Sequence, residues 1–232
     1  MNEQIDFNTK LKQTKNLLNY AMCNLKNPYI SFSGGLNSTV MLYFITQDCG
    51  YKIMPIFNHS DKSYYPDIPN YISMMKDKYK LNIEVVDTDY KIILHLRHFN
   101  IKINEIEDEN DEKYKKYKSI RNKIFRDSLK LYRGLQPLLD GVFIGYRREQ
   151  SEHRELNYKK RGSLYYKKSD NIKVCTILSN WTLENIYEYI NINNIPVLNL
   201  YNKFDEHNKA EHKILPKRKE QPVFSLWLFP PP

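Results

Sequence analysis

Between residues 29 and 86 short apolar runs alternate with longer amphipathic ones, and one joint between them is a glycine-bearing turn. Tyr29-Ile30-Ser31-Phe32 reads as a short strand, Ser33-Gly34-Gly35-Leu36-Asn37-Ser38 as the turn, and Thr39 onward to Phe44 as the opening of a helix. The pattern predicts a second strand over 52–57, a helix over 67–79 with Ile68, Tyr71, Ile72 and Met75 turned inward, and a third strand over 83–86. Strand, helix, strand, helix, strand at this spacing implies right-handed parallel crossovers. The fold class expected is therefore α/β: a doubly wound, mostly parallel, Rossmann-like sheet with helices on both faces. Ligands of such sheets bind at the carboxyl ends of the strands.

The rest of the chain extends this scheme. Leu11, Leu17, Leu18, Ala21, Met22 and Leu25 share one side of an N-terminal helix, which Asn27-Pro28 ends because proline cannot continue the ladder. Residues 105–112 read as an acidic solvated loop and 114–132 as a basic amphipathic helix. Further strands are expected over 141–145 and 171–177, then a helix over 183–192 that Thr182 caps and Pro196 follows. No internal repeat or Gly/Ser-rich linker interrupts the sequence, so 1–202 is expected as one domain, with 203–232 a tail of unassigned structure.

Charge and composition narrow the function. Lys+Arg number 36 against 27 Asp+Glu, a net charge of +9, while 41% apolar and 13% aromatic residues exclude a disordered polycation. Such a chain keeps polyanionic company: nucleotides, nucleic acid or an acidic partner. Apolar stretches such as Val40 to Ile45 fall far short of the ~18 residues of a membrane span. The polar, acidic start is neither a secretory signal nor a transit peptide, and a cytoplasmic location is expected. Cys23, Cys49 and Cys175 form no CxxC pair and are expected as small core residues in a reducing compartment, with no iron–sulfur cluster.

The glycine turn acquires chemical meaning from lying between a strand and a helix. Gly34 and Gly35 let the backbone turn sharply and bring N–H groups near an anion; the helix adds unsatisfied N–H groups and the positive end of its dipole. Ser33 and Ser38 can donate to the same oxygens. SFSGGLNS resembles the PP-loop, SGGxDS, of the adenine-nucleotide α-hydrolase superfamily, which includes ATP pyrophosphatases, the sulfate adenylyltransferase small subunit and phosphoadenosine phosphosulfate (PAPS) reductases. Two departures stand out. Asn37 replaces the Asp that would help hold Mg²⁺ against pyrophosphate, and Asn58-His59-Ser60 stands where the family often has Asp-Thr-Gly. The resemblance thus implies nucleotide binding, with Mg²⁺ held weakly.

A second motif, Gly145-Tyr146-Arg147-Arg148-Glu149-Gln150-Ser151-Glu152-His153-Arg154, follows an expected strand and so shares the sheet edge with the turn. Arginine forks bind phosphate or sulfate bidentately, although a solvated basic loop is the ordinary reading of an Arg-Arg pair. The segment resembles the GxRREQSxxR motif of PAPS reductases. That resemblance implies that Arg147, Arg148 and Arg154 contact sulfate or phosphate, with Gln150 and Ser151 supporting them. Residues 178–190, from Leu178-Ser179-Asn180-Trp181 onward, and 195–201 continue it, with Trp181 and Tyr187 expected as packing residues.

Assimilatory PAPS reductases carry a C-terminal cysteine nucleophile, whereas no cysteine follows Cys175 here. The expectation is therefore a PAPS-reductase-like protein binding PAPS, adenylylsulfate or ATP in sulfur or nucleotide transfer chemistry, its catalytic residue unassigned. Alternatives are ATP-dependent adenylyl transfer to an oxyanion or nucleic acid, and a catalytically degenerate binder. Expected partners are the small nucleotide, a thiol reductant protein and a second copy of the chain. Nucleic acid ranks second to the nucleotide, on the basic, tyrosine-bearing stretch 147–168. His95 and His98, and likewise His207 and His212, read as ordinary surface residues.

Overall fold

The computed structural model describes residues 6–52, 54–58, 67–85, 139–198 and 201, together with 112, 115, 116, 119, 120, 123, 124 and 127. The expectations for His95, His98, His207, His212, residues 105–111 and the tail 203–232 lie outside the described residues.

A six-stranded sheet organises the chain. Its strands are β1 (Pro28–Phe32), β2 (Ile56–Asn58), β3 (Ile83–Val85), β4 (Gly141–Ile144), β5 (Leu164–Lys167) and β6 (Ile172–Cys175), in the order β3-β2-β1-β4-β6-β5. All neighbours run parallel except β5, which lies antiparallel on β6 at the edge. Ile30 of β1 lies opposite both Ile56 and Phe143. The period of two along the strands then divides the side chains between two faces. Ile30, Phe32, Ile56, Ile83, Phe143 and Cys175 join one large buried cluster; Tyr29, Phe57, Val142, Ile172 and Val174 form a smaller one.

Helices α1 (Phe7–Asn24), α2 (Leu36–Tyr43), α3 (Ile68–Tyr79) and α5 (Leu183–Asn193) all feed the larger cluster, through residues such as Leu18, Val40, Met75 and Ile186. Each such fully buried side chain contributes about 1.5–3 kcal/mol. Local chemistry sets the helix ends. Asp6 accepts from the Asn8 and Thr9 N–H groups at the start of α1. Thr182 and Asn185 form a reciprocal capping box at α5, and Asn194 closes it in the left-handed conformation. Trp181, nearly fully buried, donates from Nε1 to Thr14 Oγ1 at 2.8 Å and so ties the approach to α5 onto α1.

Several expectations are corrected. β2 starts at Ile56 rather than 52, because Pro55 has no N–H and only its carbonyl joins the ladder, accepting from Ile30 N at 2.9 Å. β6 spans Ile172–Cys175: Asn171 turns left-handed at φ 50° before it, and past Cys175 one further bond in the β5 register, Thr176 N to the Ser163 carbonyl at 2.8 Å, precedes the turn in which Ser179 N donates to the Thr176 carbonyl. α2 begins at Leu36, three residues early, and continues as a π-helical turn over Phe44–Asp48. Of the cysteines only Cys175 is a core residue; Cys23 is exposed and Cys49 half-buried. Trp181 packs as expected, whereas Tyr187 stays 38% exposed.

Two elements were not expected. Helix α4 (Glu152–Arg161) buries no residue, so it carries no apolar stripe to read, and β5 is only four residues long. Of the helix expected over 114–132, the described residues are helical, with Ile120 and Ile124 buried. No helix among the described residues is long and apolar enough to cross a membrane.

The strand order has one functional consequence. β2 and β3 extend to one side of β1, and β4, β6 and β5 to the other, so the winding reverses between β1 and β4. The loops leaving the carboxyl ends of those two strands flank the crevice where open α/β sheets take their ligands.

Candidate functional site

The two loops at this reversal are the two motifs. After β1, Gly34 turns through φ +81°, a conformation that side-chain-bearing residues resist, and Gly35 returns to extended backbone as the N-cap of α2. The loop is braced from within. Ser38 Oγ donates to the Gly35 carbonyl at 2.9 Å, accepts from Ser33 N at 3.3 Å and lies 3.0 Å from Ser33 Oγ. Asn37 and Ser38 are buried, while Ser33 is exposed at the rim. The N–H groups of the first turn of α2 and the positive end of its dipole therefore stand on a preformed turn.

The second loop comes into direct contact with the first. A Cβ built on Gly145 would lie 2.8 Å from Asn37 C, Asn37 O and Ser38 N, all backbone atoms, so only glycine permits this approach. Arg147 then fastens the pair. Its side chain is 2% exposed; Nε donates to Asn37 Oδ1 at 3.0 Å and one terminal nitrogen donates to Glu149 Oε1. The same Glu149 oxygen accepts from Leu183 N at 2.7 Å, at the first residue of α5. Glycine loop, arginine loop and the start of α5 are thus joined through Asn37, Arg147 and Glu149. Gln150 braces the turn by accepting from Arg147 N at 3.0 Å and from the Arg154 guanidinium.

The three arginines are consequently unlike one another. Arg147 points inward into the fastening. Arg148 keeps a side chain 44% exposed, 3.7 Å from Glu155 Oε2 and 5.3 Å above the Tyr158 ring. Arg154 lies 4.3 Å over the Tyr146 ring, half-buried. Ser151 serves as N-cap of α4, accepting from Arg154 N at 3.3 Å. Asn58, fully buried at the end of β2, donates from Nδ2 to the Phe32 carbonyl at 3.0 Å, which pins the strand end that launches the first loop.

Three residues belong to this site that the motif reading did not single out. Gly145 carries the close approach, and Glu149 links Arg147 to α5. Tyr201 brings its hydroxyl over the first loop, 3.6 Å from where a Gly35 Cβ would stand. Gly145 and Glu149 were visible inside the motif; only their contacts distinguish them.

The described donors around Asn37 do not fit Mg²⁺. Asn37 Oδ1 already accepts from a buried guanidinium, whose charge would repel a cation, and Glu149 is paired with that same arginine. No group of three or more His, Cys, Asp or Glu suited to a metal occurs among the described residues. Cys175 is enclosed in β6, and burial pushes its thiol up to about 12, which keeps it protonated and unreactive.

Comparison with known proteins adds the family. No curated protein matches the sequence. Solved structures with the same architecture include FMN adenylyltransferase from Candida glabrata, with 15% identity over 85% of this chain and 63% of that one, at a TM-score of 0.60. They also include phosphoadenylyl-sulfate reductase from Candida auris in a phosphate complex, with 16% identity over 87% and 92%, at 0.56. A third is the U34-tRNA thiolase of Methanococcus maripaludis, with 17% identity over 83% and 66%, at 0.53. At these identities the likeness is one of fold, and the chain spans under two thirds of the adenylyltransferase. Residues 27–205 match the family model described as the phosphoadenosine phosphosulfate reductase domain, and this stretch contains the whole sheet and both loops. A match over most of its length places the chain in that family: it belongs to the phosphoadenosine phosphosulfate reductase domain proteins.

Proposed function

We propose that the two joined loops bind an adenine nucleotide carrying a distal sulfate or phosphate: PAPS, adenylylsulfate or ATP. The observation that supports this most is the backbone contact of Gly145 with Asn37 and Ser38, fastened by Arg147, at the point where the sheet reverses. In this reading Ser33, Gly34, Gly35, Asn37 and Ser38 cradle a phosphate on the first turn of α2. Arg148 and Arg154 meet the distal anion, and their tyrosine partners orient them. Arg147 holds the loops in register from behind, with Gln150 and Ser151 bracing the turn and Asn58 the strand end. The adenine lies at the ends of β1 and β2.

The chemistry this site would serve is sulfur or nucleotide transfer. A reductive step would draw its thiol from a partner reductant, because Cys175 is enclosed and protonated, and Cys23 and Cys49 lie at helix ends leading to the starts of β1 and β2, the sheet edge opposite the loops. ATP-dependent adenylyl transfer ranks second, since the pairing of Asn37 with Arg147 disfavours Mg²⁺ beside the loop.

Thermal denaturation with ATP, adenylylsulfate and PAPS, each with and without Mg²⁺, tests the reading. At a hundred times Kd a ligand adds about 2.7 kcal/mol. That is a rise in Tm of roughly 5–11 °C for a chain this long. A sulfated nucleotide is expected to give the largest rise, independent of Mg²⁺. No shift with any of the three at millimolar concentration would overturn the assignment.

A further inference from the structure

Residues 151–170 make a unit that the nucleotide pocket does not absorb. A helix in a globular protein is ordinarily held by packing an apolar stripe, yet α4 buries nothing along its length. Its last turn carries Lys159, Lys160 and Arg161, and Gly162 turns the chain into the edge strand β5. From Tyr158 to Lys168 the sequence holds Lys159, Lys160, Arg161, Lys167 and Lys168, three tyrosines and no carboxylate. Glu155 meets Lys159 at 3.4 Å and Asp170 meets Lys167 at 2.6 Å, from outside that run.

The aromatic rings are arranged among these charges. Arg148 lies over Tyr158, Arg154 over Tyr146 and Arg161 over Tyr165, with cation-to-ring distances of 5.3, 4.3 and 5.5 Å. Tyr146 and Tyr166 remain 42% and 52% exposed. Tyr166 donates its hydroxyl to Asn171 Oδ1, which fixes the direction of an otherwise open ring. The antiparallel register places Leu164 opposite Cys175 and Lys167 opposite Ile172. The tract therefore starts at the sheet edge that carries the two loops and runs along β5 toward the other edge.

We propose that α4 and β5 form a track for single-stranded nucleic acid, with backbone phosphates along Lys159, Lys160, Arg161, Lys167 and Lys168 and a base on the face of Tyr166. Lysines on an edge strand also discourage strand pairing between copies, but that role leaves the exposed Tyr166 ring unexplained. An acidic peptide would satisfy the charge without using the ring. Unstacked bases use both, because every base offers a π-face, whereas a duplex keeps its bases stacked out of reach.

Fluorescence anisotropy tests this with labelled oligo(dT) and oligo(U) of about twelve nucleotides, a length within the usual span of such sites. The intact chain is compared with the triple variant Lys159→Ala, Lys160→Ala, Arg161→Ala and with Tyr166→Ala, all exposed positions away from the nucleotide loops. At about 50 mM salt, saturable binding is expected, with the log–log salt slope falling by about 2 in the triple variant, or 0.7 for each lost phosphate contact. Tyr166→Ala is expected to weaken binding about fivefold or more with the slope unchanged, as loss of one stacked base would. Preference for either oligonucleotide supports the track and names its partner. No saturable binding, binding that both variants leave intact, equal affinity for a duplex, or displacement by polyglutamate of equal charge would each overturn it. The nucleotide-induced Tm shift, read on the same variants, is expected unchanged, so failure here is distinguishable from failure of the pocket.

Discussion

Substituting Gly145→Ala inserts one methyl group between two backbones that already touch. The new carbon would sit 2.8 Å from Asn37 C, Asn37 O and Ser38 N, and these are backbone atoms that no rotamer change can move aside. The φ of Gly145 is not in the left-handed range, so the cost is one of space alone. Overpacking of this kind costs about 1–3 kcal/mol, which for a chain of this length lowers Tm by roughly 2–12 °C. The functional cost is larger. Separating the loops lengthens the 3.0 Å bond from Arg147 Nε to Asn37 Oδ1 and moves the arginine loop away from the first turn of α2. Thermal denaturation of the variant with and without PAPS is the assay. The expected result is a lowered Tm and a nucleotide-induced shift that has largely disappeared. Gly162→Ala is the control: it strains a residue at φ +72° with nothing within 4 Å of the new carbon, and it should lose stability while keeping the nucleotide response. If Gly145→Ala keeps its full nucleotide shift, the two loops do not act as one site.

Other expected outcomes follow from the same geometry. Arg147→Ala removes a buried donor from Asn37 Oδ1 and Glu149, and should destabilise by about 1–3 kcal/mol in urea unfolding. Arg147→Lys should recover little of this, since one ammonium group cannot reproduce the guanidinium fork. Trp181→Phe shrinks a fully buried ring and deletes the bond to Thr14 Oγ1, and should cost about 2–3 kcal/mol by the same measurement. Burial raises Cys175 to about 12 from 9.0, so the native state holds its proton where the unfolded state has lost it. Stability from this group is full below pH about 9 and falls as pH rises from there toward 12, and urea midpoints across that window should decline. In native protein a thiol reagent should modify exposed Cys23 first and Cys175 only on unfolding.

The sequence declared its parallel sheet because its strands and helices bury different patterns: β1 is a short apolar run buried on both faces, Ile30 and Phe32 on one and Tyr29 on the other, whereas Ile68, Tyr71, Ile72 and Met75 recur at helical spacing. Both loops were legible as glycine and arginine motifs. What Arg147 does was not. Two adjacent arginines look alike in a sequence, yet one is enclosed against Asn37 and the other lies exposed over Tyr158. Spacing reveals residue types, whereas direction depends on the close approach of two loops a hundred residues apart. α4 and β5 escaped for the opposite reason: neither has enough buried apolar residues to set a period. Cys23 and Tyr187 show the limit of residue-type priors, since both lie on the open side of helices whose other faces supply the core.

Hydrogen–deuterium exchange of the intact chain, with and without saturating PAPS, tests the central claim most directly. If the phosphate loop and the arginine loop are one anion site, exchange should slow together at the amides of 33–38 and 145–151, with a smaller effect at the start of α5, reached through Glu149. Unchanged exchange at both loops, or protection of one without the other, would contradict it.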